Sequence, residues 1–342
     1  MFAGVNPRRP SFVYGGSGAQ SYCNTSVDQF RMNIQRFLNS LAMKGRKRAG
    51  LIAFCTMYLA SAVSGIAQET GRSSGRNMLW RVQSGDRSLY ILGSVHMLPE
   101  SAYPLDPVIE KTFNEAEKVV FELNLDSVAN MSGAMSLLKR GTYQNGRTLE
   151  KSISKETFEA LKTRLKETGI PLAMVSRFEP WMVAMLLTAT DMRGSGYSDA
   201  HGIDMYFHGK ARETGKEVKG LETLDFQVDL FDNLPEEAQE AFLKQTLEMS
   251  SAGDSGMLDS MVAAWKSGDV ERLEKIAATS MTDTSELSRN LLQKRNLNWI
   301  PEIEKFIASE SKYFVIVGAL HLVGESGVIE LLRRKGYEVE QL

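Results

Sequence analysis

Cysteine is almost missing from this chain: 342 residues hold two, Cys23 and Cys55, and none thereafter. The long remainder therefore cannot build a disulfide, a thiolate nucleophile or a cysteine-based metal site. An excess of one charge is missing too. Forty Lys and Arg face 42 Asp and Glu, for a formal net charge of -2, which argues against a nucleic-acid partner or a basic membrane-surface role. Zinc-finger spacing, a P-loop and a dinucleotide fingerprint are all absent. What remains is 43% hydrophobic and 24% charged residues, an ordinary globular balance.

Long apolar runs are also scarce. The clearest, Leu51 to Ala60, follows the basic stretch Met43-Lys44-Gly45-Arg46-Lys47-Arg48 and precedes Gly65-Ile66-Ala67-Gln68. A basic segment, a short apolar core and small residues before a cleavage point form a secretory signal peptide, and the core is too short for an ordinary membrane span. Residues 43–67 are thus expected to direct export to the periplasm or the medium, with no membrane span after cleavage. Residues 1–42 are polar and fit poorly before a signal peptide, which places the expected translation start at Met43 and makes the upstream segment non-native or disordered. Both cysteines precede the cleavage point. Residues 68–342 then form one α/β domain with a helical insertion at about 130–310.

Histidine is scarce as well, and its placement is informative. Two of the four end near-copies of one motif: Leu89-Tyr90-Ile91-Leu92-Gly93-Ser94-Val95-His96 and Tyr313-Phe314-Val315-Ile316-Val317-Gly318-Ala319-Leu320-His321. Each is a short apolar run closed by Gly-x-x-His, read as a buried strand with a backbone break at the glycine. Ligands of open α/β sheets bind at the carboxyl ends of strands, so two imidazoles presented there point to one shared site. Further strands are expected at 79–82, 118–123, 217–222 and 337–341. Helices are expected at 106–117, 154–168, 180–190, 203–214 and 327–335, with a helical succession from Asp225 to Ser309 broken near 233–235, 252–256 and 280–284. The order β-α-β implies a parallel crossover. The fold class is α/β, with a central mixed, largely parallel sheet. Glu122 should lie level with His96 if their strands are neighbours.

The arrangement resembles the TraB/GumN family, which is related to the TIKI proteases. The resemblance spans about Leu79 to Leu342. It rests on the paired Gly-x-x-His motifs, Val119-Val120-Phe121-Glu122, Glu179-Pro180-Trp181, Gly202-Ile203-Asp204, Gly215-Lys216-Glu217-Val218, Leu221-Glu222-Thr223 with Gln227, and Arg295-Asn296. It implies an α/β fold carrying both histidines on sheet strands. For the TIKI branch it implies a divalent-metal-dependent peptidase in which two histidines and an acidic residue matter.

His96, Glu122 and His321 would make a two-histidine, one-carboxylate set with open positions for water and substrate. Such ligands suit Mn, Co, Zn or Fe. Glu222 is the first candidate for general base, with an ion pair or helix cap as the alternative role. Arg295 could clamp a substrate carboxylate or stabilise an oxyanion, with a salt bridge as the alternative. His201 and His208 read as structural or surface residues, with Asp204 the more promising contributor from that helix. Ser94 lacks the context of a nucleophile. The expected function is a metal-dependent hydrolase acting on a peptide or protein. The alternatives are a non-enzymatic protein that binds a metal, haem or peptide, and an accessory protein of envelope or polysaccharide assembly.

Overall fold

A computed structural model describes residues 75–126, 131–144, 146–194, 196–251, 255–280 and 289–342. The expected signal peptide, the segment before it, both cysteines and most of the expected break at 280–284 lie outside these residues. Among the described residues, no helix is long and apolar enough to cross a membrane.

Six strands build one mixed sheet: β1 (Leu79–Ser84), β2 (Arg87–Ser94), β3 (Lys118–Leu123), β4 (Glu217–Glu222), β5 (Tyr313–Gly318) and β6 (Glu338–Gln341). Their order across the sheet is β4-β3-β5-β2-β1-β6. The four strands β4, β3, β5 and β2 run parallel, and β1 is antiparallel to both β2 and β6. Each run predicted as a strand is one; the inner strands are apolar stretches of the kind a sheet buried on both faces demands, while the edge strands β4 and β6 are polar and partly exposed. All six residues of β5, at the sheet's centre, are buried.

The condition under which Glu122 would lie level with His96, that their strands be neighbours, is not met by this order. The second Gly-x-x-His strand, β5, inserts between β3 and β2. His321 therefore stands between Glu122 and His96. The expected backbone break at the first glycine is absent too: β2 runs through Gly93 to Ser94. Close approach explains both glycines better. A Cβ on Gly93 would stand 3.1 Å from the Ala319 Cα, and one on Gly318 would stand 3.2 Å from Glu122 Oε1.

Helices cover both faces. α1 (Pro107–Glu115) crosses from β2 to β3; Asp106 caps it by accepting from the Val108 N–H, and Pro107 takes the first position, where its missing N–H costs nothing. The helical middle comprises α2 (Met131–Arg140), α3 (Lys155–Thr168), α4 (Pro180–Gly194), α5 (Ile203–Glu213), α6 (Leu224–Asp232), α7 (Glu236–Ser251), α8 (Ser255–Lys266) and α9 (Val270–Ser280). β4 divides it. After a π-type stretch at Arg289–Lys294 come α10 (Arg295–Ala308) and, past β5, α11 (Val328–Arg334).

Phe113 of α1 and Phe207 of α5 pack on Phe314 of β5. On β3, Phe121 meets His208 of α5 while its neighbour Glu122 meets Arg295 of α10. Successive strand residues point to opposite faces, so α5 and α10 flank the sheet from opposite sides. Trp181, Phe231 and Phe242 stack between α4, α6 and α7. That stack makes the middle helices a packed layer of their own.

Candidate functional site

The site forms at the carboxyl edge of the four parallel strands, where three local devices deliver its side chains. At the end of β5, a single 3-10 turn, Ala319–His321, swings the imidazole of His321 back over the sheet. At the end of β4, Thr223 caps α6 by accepting from the Phe226 N–H, and the first turn of α6 returns Gln227 to Glu222. At the end of β2, α5 begins against the chain itself. The Ile203 N–H donates to the Val95 carbonyl at 3.0 Å, and a Cβ on Gly202 would stand 2.0 Å from the His96 carbonyl oxygen. Only glycine allows that contact. It sets Asp204, in the first turn of α5, beside His96.

Each histidine is held through Nδ1. His96 Nδ1 lies 2.6 Å from Asp204 Oδ2, and the second Asp204 oxygen accepts from the Ser94 hydroxyl at 3.1 Å. His321 Nδ1 lies 2.6 Å from Asn296 Oδ1. The Asn296 amide nitrogen donates to the His321 and Ser326 carbonyls, which fixes its oxygen as the acceptor. Both imidazoles therefore carry the proton on Nδ1 and turn Nε2 to the shared space. Glu122 Oε1 accepts from the Gly318 N–H at 2.7 Å and stands 3.8 Å from His321 Nε2. A Cβ on Gly318 would lie 3.9 Å from His96 Nε2. His96, Glu122 and His321 are thus gathered around one glycine.

Arg295 is completely buried at the centre of this cluster. Its Nη2 donates to Glu122 Oε2 at 2.6 Å and to Glu222 Oε2 at 2.8 Å, and its Nε reaches both Glu222 oxygens at 3.0 Å. Nη1 donates to the Leu291 carbonyl and, at 3.1 Å, to His321 Nε2. Trp299, one turn on along α10, lies against the guanidinium and the His321 ring and donates its indole N–H to Glu222 Oε1 at 2.8 Å. Gln227 donates to Glu222 at 3.1 Å. Both Glu222 oxygens are therefore occupied by donors, and every nitrogen of Arg295 donates to an acceptor. That leaves little room for the general-base role expected of Glu222, or for the substrate clamp expected of Arg295. Their alternative role, an ion pair, is the one this geometry favours.

The electrostatics separate the two histidines. Burial alone would depress His96, but Asp204 at its Nδ1 overrides that and raises its pKa from 6.5 to about 9. Burial and the nearby Arg295 cation lower His321 to about 3. Burial would raise Glu122, yet Arg295 outweighs it and brings the carboxyl down to about 2. His96 is the most open of the set, with 12% of its side chain exposed, against 1% for His321 and 6% for Glu122. The cluster is therefore least closed on the His96 side.

His201 and His208 stand apart. His201 lies in the turn before α5, and His208 is buried against Phe121 with its Nε2 3.6 Å from Asp126 Oδ1. Sequence reasoning passed over Trp299 and assigned Asn296 no role. The available signal was helical spacing: Arg295 and Trp299 are four apart, hence on one face.

Three features test whether a divalent ion fits this set: donor type, outer contacts and spacing. Two imidazoles held through Nδ1, by a carboxylate and an amide, form the outer shell typical of metal-ligating histidines. A carboxylate oxygen lies near one Nε2, and the oxygen and nitrogen donors suit a divalent transition metal. Among the described residues, however, no three His, Cys, Asp or Glu side chains already stand close enough to hold an ion. Donor type and outer contacts fit, while the space between the donors is held by the Arg295 guanidinium against His321 Nε2.

Residues 78–341 match the TraB/PrgY/gumN family model, and the chain belongs to that family. It is 26% identical over 253 residues to the uncharacterized protein YbaP of Escherichia coli (strain K12), covering 73% of this chain and 89% of that protein. It is 22% identical over 329 residues to the metalloprotease TIKI1 of Danio rerio, covering 81% of this chain and 65% of that one. The metalloprotease TIKI1 of Homo sapiens is 22% identical over 324 residues, covering 79% and 62%. No solved structure matches.

Proposed function

We propose that this protein is a hydrolase of peptide bonds in peptide or protein substrates, with a divalent ion held by His96, Glu122 and His321. The observation that carries the reading is the pair of Nδ1-anchored imidazoles, which come from opposite ends of the chain to the same glycine beside one buried carboxylate. The similarity to metalloproteases named TIKI1 supports it. When bound, the ion would supply Lewis acidity toward a scissile carbonyl and a water of lowered pKa. Mn, Co, Zn or Fe would each suit the donors.

The chain's own residues have distinct tasks in this reading. Asp204 and Asn296 anchor each Nδ1 and aim each Nε2 at the shared space; His321 offers it unprotonated, whereas His96, raised to about 9, would give up its Nε2 proton to hold the ion. The Gly318 N–H and Arg295 Nη2 hold the two oxygens of Glu122 in place. Glu222, saturated by Arg295, Trp299 and Gln227, positions Arg295 rather than acting as the base. The partly open face of His96 admits substrate, while Trp299 and the buried Arg295 exclude water from the opposite side. Residues 43–67 direct export to the periplasm or the medium. Amino-terminal sequencing of the native protein that finds residues 1–42 or 43–67 retained would overturn that assignment.

The test of function is calorimetry with elemental analysis on the purified protein, His96→Ala and His321→Ala, followed by a peptide-hydrolysis screen. One ion per chain in the parent, lost from both variants along with peptide cleavage, is the expected result. A folded parent that binds no ion would shift the weight to a binding protein without turnover. That second reading has one observation of its own: Arg295 already satisfies His321 and Glu122 without a metal.

A further inference from the structure

His321 Nε2 has one lone pair, and Arg295 Nη1 donates into it at 3.1 Å. A neutral imidazole nitrogen can accept one N–H or bind one metal, not both. The same guanidinium contacts Glu122, the acidic member of the set, at 2.6 Å. A positive group is thus seated at two of the three expected ligands. Its attachment is uneven. Nε and Nη2 make three contacts to Glu222, which Trp299 and Gln227 hold from behind, whereas Nη1 touches only His321 and the Leu291 carbonyl. Leu291 lies in the π-type stretch before α10, a wider helical geometry that often marks a functional position.

We propose that Arg295 is a displaceable internal cation: its Nη1 occupies His321 Nε2 in the ion-free protein and yields that nitrogen to a divalent ion. Glu222 is the anchor that retains the guanidinium during the exchange. The arginine neutralises buried carboxylates whose charge would otherwise be exposed to a low dielectric whenever the ion is absent. It also sets a threshold for metal affinity, because part of each binding event goes into breaking its contact with His321. Trp299 touches both the guanidinium and the His321 ring, with ring centroids 4.4 Å apart in the second case, so its indole reports the exchange.

This inference rests on the metal reading above, and the experiment separates the two. Zn²⁺ is titrated into the full protein, Glu222→Gln, and the double variant Arg295→Met with Glu222→Gln, by calorimetry and tryptophan fluorescence. The double variant loses one cation and one anion, which leaves the formal charge of the cluster unchanged. Displacement predicts that it binds Zn²⁺ about tenfold tighter or better than the charge-matched parent, within the usual range of such couplings. It also predicts a fluorescence change in the parent that Trp299→Phe removes. Zn²⁺ binding in the parent with equal or weaker binding in the double variant would overturn the proposal and make Arg295 a fixed strut. Folded proteins that all fail to bind would overturn the metal reading itself. If circular dichroism finds the double variant unfolded, Arg295→Lys replaces it, since an ammonium lacks the fork that spans Glu222 and His321; tighter binding is again required.

Discussion

His96 and His321 occupy the same place in the same motif yet differ in charge: burial depresses both, and only His96 has a carboxylate at Nδ1 that overrides it. Asp204 gives His96 a carboxylate at Nδ1, whereas Asn296 gives His321 a neutral amide and Arg295 adds a cation on the other side. Replacing Asp204 by Asn keeps a side-chain acceptor and removes the charge. The His96 pKa should then fall from about 9 toward its ordinary value, followed by NMR titration of the imidazole in the presence of a chelator. An unchanged titration would mean that Asp204 does not set the charge of His96. At this scale the sequence named five residues that do meet: His96, Glu122, Glu222, Arg295 and His321. It named His96, Glu122 and His321 as expected ligands but left Glu222 and Arg295 between a chemical role and an ion pair, because that choice depends on which oxygen faces which nitrogen.

At the scale of elements, the site is made by strand ends and the helices that start on them. The contact of Gly202 with the His96 carbonyl is the tightest of these junctions, since an added Cβ would lie 2.0 Å from backbone oxygen rather than from a side chain that could rotate away. Gly202→Ala should therefore cost about 1–3 kcal/mol in urea unfolding and loosen His96 from Asp204 as α5 backs away. A variant as stable as the parent would show that the junction gives freely. Strand and helix positions were largely legible in the sequence, because apolar runs and caps such as Asp106 and Ser154 are local signals. Strand order was not. That β5 enters between β3 and β2 is a long-range pairing, and no residue in either strand announces its neighbour.

The whole molecule stores three titrating groups in one buried cluster, and their signs combine. The neutral form of His321 is favoured by a folded pKa near 3 against 6.5, so its stability is present above pH 6.5 and lost as pH falls. Glu122, near 2 against 4.5, adds a further loss below pH 4.5. His96, near 9 against 6.5, contributes stability that is present below pH 6.5 and lost as pH rises through 9. The ion-free protein should therefore be most stable around pH 6.5 as far as these groups decide it. Thermal unfolding from pH 4 to 10 with a chelator checks this; a maximum above pH 9 would contradict the charge assigned to His96.

The amino-acid sequence by itself determined the class of fold, the family and the identity of the central residues. The fold class follows from hydrophobic period, the two histidines from the repetition of one motif at the two ends of the chain, and the family, with Glu222 and Arg295, from the resemblance of its ordered motifs. Tertiary structure alone decided that Glu222 and Arg295 bond to each other, that Asn296 and Trp299 belong to the site, and that a guanidinium lies against His321 Nε2. The physical reason is that hydrogen-bond pairing among buried ions is a short-range property of side chains brought together from strands and helices up to about 200 residues apart, such as Glu122 and Gly318. Local sequence specifies which groups are available, and only packing chooses their partners.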